Sequence, residues 1–429
     1  MKLFINNILW INPGDNETGN RLSFRITNGI LVGFGSDLIP DPSELFVDGS
    51  GYFCSPGWID LVCKSGAPGN PQNESMESLA NAAAAGGFTK IMLQPDTKPI
   101  LQTIESVAYF KNYKSINGIE LLVSAAATKD LGGQKMSEML RLAKQGADSF
   151  STVKTISNAG FFGRILQYLQ HCGKVLFDQP SEDSLSRNAQ MHEGEVSERR
   201  GLSGAPIEAE LLVTDRDITL LKYAGGKLHL ACLSSSEAVE KVSEAQKNGL
   251  SISCSIAANQ LAFTHENLDQ FDTVHKVWPP YRTEENRLEL VKCLQEGKID
   301  AVVSNHTPLH YDFKDIEFEN ASFGISALET TFSALVHFGK LKDPEAIVKL
   351  LYTNPAQIID KSKVDLKSGM VADFTIFSLG VISTFLKDNW QSKSSNNPFL
   401  GEELRGSVIG VVTGLGYFEN PHAMITKTQ

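Results

Sequence analysis

No histidine precedes His171 in this 429-residue chain, so whatever its early loops do, they do it without imidazole. Cysteine is sparse as well. Cys54, Cys63, Cys172, Cys232, Cys254 and Cys293 are scattered with no C-x-x-C spacing. That pattern argues against a zinc ribbon or a disulfide framework and predicts reduced, mostly buried thiols. No segment approaches the roughly 18 uninterrupted apolar residues of a membrane span. The opening MKLFINNILW lacks a basic region followed by a cleavable apolar core, which places the chain in the cytoplasm with no membrane partner. Basic charge is in deficit: 39 Lys and Arg against 50 Asp and Glu leave a net charge of -11. Nucleic acid is therefore excluded as a partner, because phosphate binding is driven by Lys and Arg. No repeat of fixed period occurs, and the only low-complexity tract, Ser392–Asn397, reads as an exposed loop.

What is present describes an ordinary globular protein, 41% hydrophobic and 21% charged. The length predicts a large domain plus a smaller one. Up to about residue 54, short apolar runs split by turn residues, such as Leu3 to Trp10 and Leu22 to Ile26, predict small antiparallel strands. Beyond residue 55 the texture changes. Apolar runs of strand length (Lys90 to Leu93, Leu121 to Ser124, Lys174 to Phe177, Lys227 to Cys232, Ser251 to Ile256, Asp300 to Ser304) alternate with helical periodicity. Helices are expected over Met76 to Ala85, Ser137 to Gln145, Gly160 to His171, Ile207 to Tyr223, Ser235 to Asn248 and Glu284 to Glu296.

Repeated strand-helix units predict an α/β fold with a parallel sheet, either doubly wound or closed as an eight-unit barrel. From about 364 the short-strand texture returns, so residues 1–54 and 364–429 are expected to fold together beside a domain of residues 55–363. The apolar run ending in Ile59-Asp60, followed by Pro- and Gly-rich residues to Gly69, reads as a buried strand with a loop at its carboxyl end. In parallel α/β folds that is where chemistry sits.

Several motifs occur in chain order: Pro56-Gly-Trp-Ile-Asp60, Ala82-Ala-Ala-Ala-Gly-Gly-Phe-Thr89, Gly194-Glu-Val-Ser-Glu198, Lys276-Val-Trp-Pro-Pro-Tyr-Arg282, Phe323-Gly-Ile-Ser-Ala-Leu-Glu329, Thr353-Asn-Pro-Ala356 and Asn397-Pro-Phe-Leu-Gly401. Together they resemble dihydroorotases of the long, multifunctional-complex type and, more broadly, the cyclic amidohydrolases. The resemblance implies a (β/α)8 TIM-type barrel with a small β-sandwich built from both termini. It also implies two metal ions, commonly zinc, which lower the pKa of bound water to roughly 7 and so make a nucleophile.

At the positions where the family carries metal ligands, this chain has other residues. The His-x-His pair falls on Val62 and Lys64, and the acidic bridge on Thr152-Val-Lys154. Two further histidines fall on Asp178 and Cys232, and the aspartate of the last strand on Asn305. Family substrate-binding residues fall on Gly66, Asp96 and Trp278. An ammonium repels a dication, and an amide neither bridges charge nor takes a proton at neutral pH. No metal or other cofactor is therefore expected, although the family uses zinc. Lys64 is expected to pair with Asp178 in the barrel mouth, since a buried ammonium needs a counter-charge. His192 and Glu193 fall in a predicted loop and read as solvated or helix-capping groups.

The resemblance thus implies a dihydroorotase-like homologue, related to pyrimidine biosynthesis, that lacks the binuclear centre. Its implied role is scaffolding or regulation, with aspartate transcarbamoylase or an active dihydroorotase as partner and a homodimer as assembly. Two alternatives stand beside it. One is cyclic amide hydrolysis from a rebuilt single-metal or metal-free pocket of Lys64, Asp178, Cys232 and His306, with Cys232 as nucleophile. The other is a small-molecule binding protein that kept the barrel cavity.

Overall fold

A computed structural model describes residues 1–423. The chain opens with five strands, β1 (Lys2–Trp10), β2 (Arg21–Thr27), β3 (Ile30–Gly35), β4 (Leu45–Asp48) and β5 (Phe53–Pro56). It closes with β16 (Phe374–Thr384), β17 (Glu403–Thr413) and β18 (Gly416–Glu419). Both ends meet in one eight-stranded sheet, ordered β18-β17-β16-β5-β1-β2-β3 with β4 on β1. The antiparallel pairing of β16 with β5 is the join. Behind it, Trp10, Phe24 and Phe374 pack ring against ring at 5.5 to 5.7 Å. Residues 424–429 of the expected terminal domain lie outside the described residues.

Between these ends, β6 (Trp58–Cys63), β7 (Phe88–Leu93), β8 (Glu120–Ala126), β9 (Ser149–Ser151), β10 (Leu176–Asp178), β13 (Leu228–Leu230), β14 (Ile252–Ala257) and β15 (Ala301–Val303) form a second, wholly parallel sheet in chain order. A small side pair, β11 (Met191–His192) with β12 (Gly204–Ala205), interrupts the series. The parallel sheet bends round until its first and last strands meet. The Lys64 amide donates to the His306 carbonyl at 2.8 Å, and the Asp60 carboxylate accepts the Ser304 amide at 2.9 Å. The result is a nearly closed eight-stranded barrel, which resolves the choice between a doubly wound sheet and a barrel. Every residue of β6 is buried, as expected of a strand covered on both faces.

Helices wrap the barrel, among them α1 (Met76–Ala85), α2 (Ile104–Lys111), α3 (Met139–Gln145), α4 (Ala159–Gln170), α5 (Asp183–Ser186), α6 (Glu195–Arg200), α7 (Glu208–Ala224), α8 (Ser236–Lys247), α9 (Glu284–Gln295) and α10 (Thr331–Gly339). Ser75 and Ser78 form a reciprocal capping box that starts α1. Of these, α2, α5, α6 and α10 give no helical signal strong enough to read from sequence, and three-residue β9 is too short to stand out as a strand. Among the described residues no helix is long and apolar enough to cross a membrane.

One local expectation is reversed. Ser392–Asn397 is not an exposed loop: Ser392, Ser394, Asn396 and Asn397 are buried. The polar composition has a different cause, since these side chains satisfy buried groups on the barrel. Ser394 donates to the Asn73 carbonyl, and Asn397 donates to the Ser326 carbonyl at 2.8 Å. The Glu74 carboxylate accepts the Ser392 hydroxyl and the Lys393 amide. The tract is a strap across the barrel's loops, and only tertiary partners distinguish it from a solvated linker.

Candidate functional site at the barrel mouth

Side chains at the carboxyl ends of β6 to β10, with the loops that follow, surround a cleft of about 810 Å³. Lys64 and Asp96 lie in it, Trp278 and Phe323 form an aromatic side, and Thr155, Ser157, Asn158, Gln179 and Ser181 supply polar groups. The two aromatic rings meet edge to face at 5.4 Å.

Lys64 follows β6 directly, and its Nζ lies 2.7 Å from Asp96 Oδ2, with side chains 34% and 26% exposed. Burial works against the ammonium, but the Asp96 carboxylate outweighs it and holds Lys64 above the usual lysine range. The expected pairing of Lys64 with Asp178 is therefore corrected. Asp96 follows β7, the strand adjacent to β6, whereas Asp178 ends β10, separated from β6 by three strands in the sheet. Val62 is buried and carries no donor atom. At Gly66 a Cβ would press on the Asn70 carbonyl and stand 2.5 and 2.7 Å from the Glu74 backbone nitrogen and oxygen. The loop there is packed backbone to backbone with no room for a side chain.

Asp178 accepts the Thr152 hydroxyl on one carboxylate oxygen, and its other oxygen is buried without a hydrogen-bond partner. On α7, Asp217 takes Arg216 Nε and Nη2 at 2.9 and 2.6 Å on one oxygen, and its second oxygen is likewise unpartnered. Burial, then the nearby Asp178 charge, push Asp217 well above the usual carboxylate range.

Cys232, just past β13, is buried, and burial raises its thiol far above the usual range. It is not poised as a nucleophile, which requires thiolate. His229 lies between Ser253 Oγ at 2.8 Å and Ser255 Oγ at 2.9 Å, and burial lowers it to about 3, so the ring is neutral. Asn305 donates from Nδ2 to the Trp278 carbonyl at 2.9 Å. His306 is fully buried; its Nδ1 accepts the Ala327 amide at 3.1 Å, and its Nε2 faces Glu74 Oε2 at 3.4 Å. Lys64, Asp178 and His306 thus each have a partner of their own, Asp96, Thr152 and the Ala327 amide, and the Cys232 thiol is held protonated by burial. Among the described residues, no cluster of three or more His, Cys, Asp or Glu is spaced to hold a metal ion.

His192 is buried on β11, not in a solvated loop. Arg282 Nη1 lies 3.1 Å from its Nδ1, and burial, then the Arg282 charge, lower it to about 4. Glu193 beside it is exposed. Sequence reasoning missed Glu74, Asp217 and Phe323 as neighbours of this mouth. Glu74 and Asp217 carried no local signal, and Phe323 appeared only as part of a motif.

Comparison with known proteins follows the same geometry. A family model described as "Dihydro-orotase-like" matches residues 51–238. The chain is 32% identical over 407 residues to a dihydroorotase from a Thermoanaerobacter species, covering 89% of this chain and 94% of that protein. It is 31% identical over 416 residues to the dihydroorotase of Syntrophus aciditrophicus, covering 95% and 97%. In three dimensions it superposes on the L-hydantoinase (dihydropyrimidinase) of Arthrobacter aurescens with a TM-score of 0.83 at 19% identity, over 99% of this chain and 97% of that one. The dihydropyrimidinase of Brevibacillus agri gives a TM-score of 0.80 at 20% identity, over 99% and 96%. At such identity the structural likeness speaks for the fold alone.

Proposed function

Because the chain belongs to the dihydroorotase family of cyclic amidohydrolases, we propose that it is a member without the family's binuclear chemistry, acting as a scaffold or regulator in pyrimidine synthesis. Aspartate transcarbamoylase or an active dihydroorotase is the proposed partner, and a homodimer the proposed assembly. The observation that carries this reading is Lys64, whose ammonium sits in the mouth 2.7 Å from Asp96. A cation fixed there opposes a dication by direct repulsion.

The donor set around it does not fit a pair of zinc ions. Zinc takes thiolate, neutral imidazole or carboxylate ligands. Val62 has no donor atom, Asn305 spends its amide nitrogen on the Trp278 carbonyl, and the Cys232 thiol is held protonated by burial. No hydrolytic step is therefore derived.

One experiment tests the proposal. The purified chain, supplied with zinc, is assayed for dihydroorotate hydrolysis and for bound metal, then mixed with aspartate transcarbamoylase from the same organism and run on a sizing column. No turnover, no stoichiometric zinc and a co-eluting complex are expected. Turnover, or two zinc ions per chain, overturns the non-catalytic reading, and separate elution overturns this partner.

A further inference from the structure

Two lysines near the mouth are buried without a carboxylate. Lys276, on the segment that carries Trp278, donates from Nζ to Gln190 Oε1, to the Phe318 carbonyl at 2.6 Å and to the Glu319 carbonyl at 3.2 Å. Phe318 and Phe323 each place a ring centroid 4.9 Å from that nitrogen. Lys314 reaches back the other way, donating to the Thr273 carbonyl at 2.8 Å and the Lys276 carbonyl at 2.9 Å. Each lysine thus grips the other's segment. Among the described residues neither makes an ion pair.

The clasp anchors residues 308–323 together with Thr273 Oγ1, which donates to the Lys314 carbonyl at 2.6 Å, and with the Leu309 and His310 amides, which donate to Asn396 Oδ1 at 3.2 Å and Asn73 Oδ1 at 3.1 Å. The two ends of this segment are tied together by the Thr307 amide on the Ile325 carbonyl at 2.7 Å, and the Gly324 amide bonds the Lys276 carbonyl at 3.0 Å. Between those ends the chain lies mostly in solvent: over residues 308–323 only Pro308, Lys314, Phe318 and Ala321 are buried. A loop with close ends, few apolar contacts and exposed backbone belongs to the low-stability end of a structure.

We propose that residues 308–323 are a flap at the barrel mouth that opens as a unit, that the reciprocal Lys276 and Lys314 clasp is its latch, and that opening widens the cleft on its aromatic side. Phe323, at the flap's root, packs on Trp278 in the cleft wall, which couples the two.

Burying the two latch lysines without a carboxylate partner makes the flap sensitive to protons. Burial lowers Lys276 to about 8; burial, then the Lys276 charge, lower Lys314 to about 7, from an ordinary value of 10.5. The titratable groups facing Lys314 are Asp272, His275 and Lys276, and Glu319 faces Lys276. The closed flap therefore binds fewer protons than the open one above about pH 7, and closure strengthens as pH rises toward the ordinary lysine range.

Hydrogen exchange on the full chain, corrected for the intrinsic pH dependence of amide exchange, is the test. Amides of 311–322 are expected to exchange together, faster than those of β13 and β14, with protection growing from about pH 7 to about pH 9. Lys314→Met and, separately, Lys276→Met are expected to speed flap exchange by about tenfold, from the loss of the clasp's hydrogen bonds, with strand exchange unchanged. Lys314→Arg keeps a cation that does not titrate and is expected to weaken the pH dependence. Wild-type flap protection equal to that of the strands, protection indifferent to pH, or variants that loosen strands and flap alike would overturn the proposal.

Discussion

At the scale of single residues, burial decides protonation more than sequence neighbours do. His229 and His192 are lowered by burial to about 3 and about 4, from an ordinary 6.5, so both are neutral in the folded chain. Their contribution to stability is present above pH 6.5 and is lost as pH falls toward those values. Asp60 works in the opposite sense. Burial raises it from 3.8 to about 6, so the folded chain keeps a proton there that the unfolded chain releases, and its contribution grows as pH falls through that window. Asp217 and Asp300 are raised by burial as well, yet His192, His229, His265 and His275 are all lowered, and these four histidines outnumber the three aspartates. Urea unfolding midpoints are expected to drop on acidification from about pH 6.5 to about pH 4, and His229→Asn to shallow that slope. Midpoints that climb on acidification would contradict the assignment.

At the scale of elements, capping and strapping carry stability that propensity does not. Ser75 Oγ accepts the Ser78 amide at 3.0 Å, and Ser78 Oγ accepts the Ser75 amide at 3.1 Å. Ser75→Ala should cost about 1 kcal/mol, read by chemical denaturation. The strap is a stronger case. Asn397 serves the Ser326 carbonyl at 2.8 Å and Thr330 Oγ1 at 3.0 Å, and its own Oδ1 takes the Phe399 amide at 2.7 Å. Asn397→Ala leaves buried groups without partners and should cost roughly 1–3 kcal/mol. An exposed linker would lose almost nothing, so a cost near zero in thermal or urea unfolding would refute the buried placement.

At the scale of the whole molecule, one tryptophan joins the two sheets. Trp58 begins the first barrel strand, and its ring centroid lies 4.9 Å from Phe332 on α10 and 5.3 Å from Phe377 on β16 of the terminal sheet. Its indole N–H donates to Ser55 Oγ at 3.0 Å, so even the polar atom is satisfied. Trp58→Ala should cost about 3–5 kcal/mol. Because the cavity would open at the seam, fragments from both the barrel and the terminal sheet are expected to become protease-sensitive together. Loss confined to one of them would show that the seam does not couple the two.

The sequence by itself determined the alternation of strands and helices, because burial on both faces of a parallel strand and on one stripe of a helix writes directly into apolar spacing. It also carried the motifs that place the chain in its family. The segment from Ile59 to Lys64 was legible as a buried strand with a loop at its carboxyl end, and the structure keeps that strand buried. Closure of the barrel was legible only through the family resemblance and not from apolar spacing, since it depends on contacts between Lys64 and His306 that lie far apart in the chain. The same holds for partnership. Lys64 pairs with Asp96 because β7 is the neighbouring strand, Ser392–Asn397 is buried because Glu74, Asn73 and Ser326 need its groups, and Lys276 and Lys314 clasp each other across a loop. Local spacing encodes which faces are buried; which charges and amides meet inside is set by the packing of distant segments, and only the tertiary structure decides it.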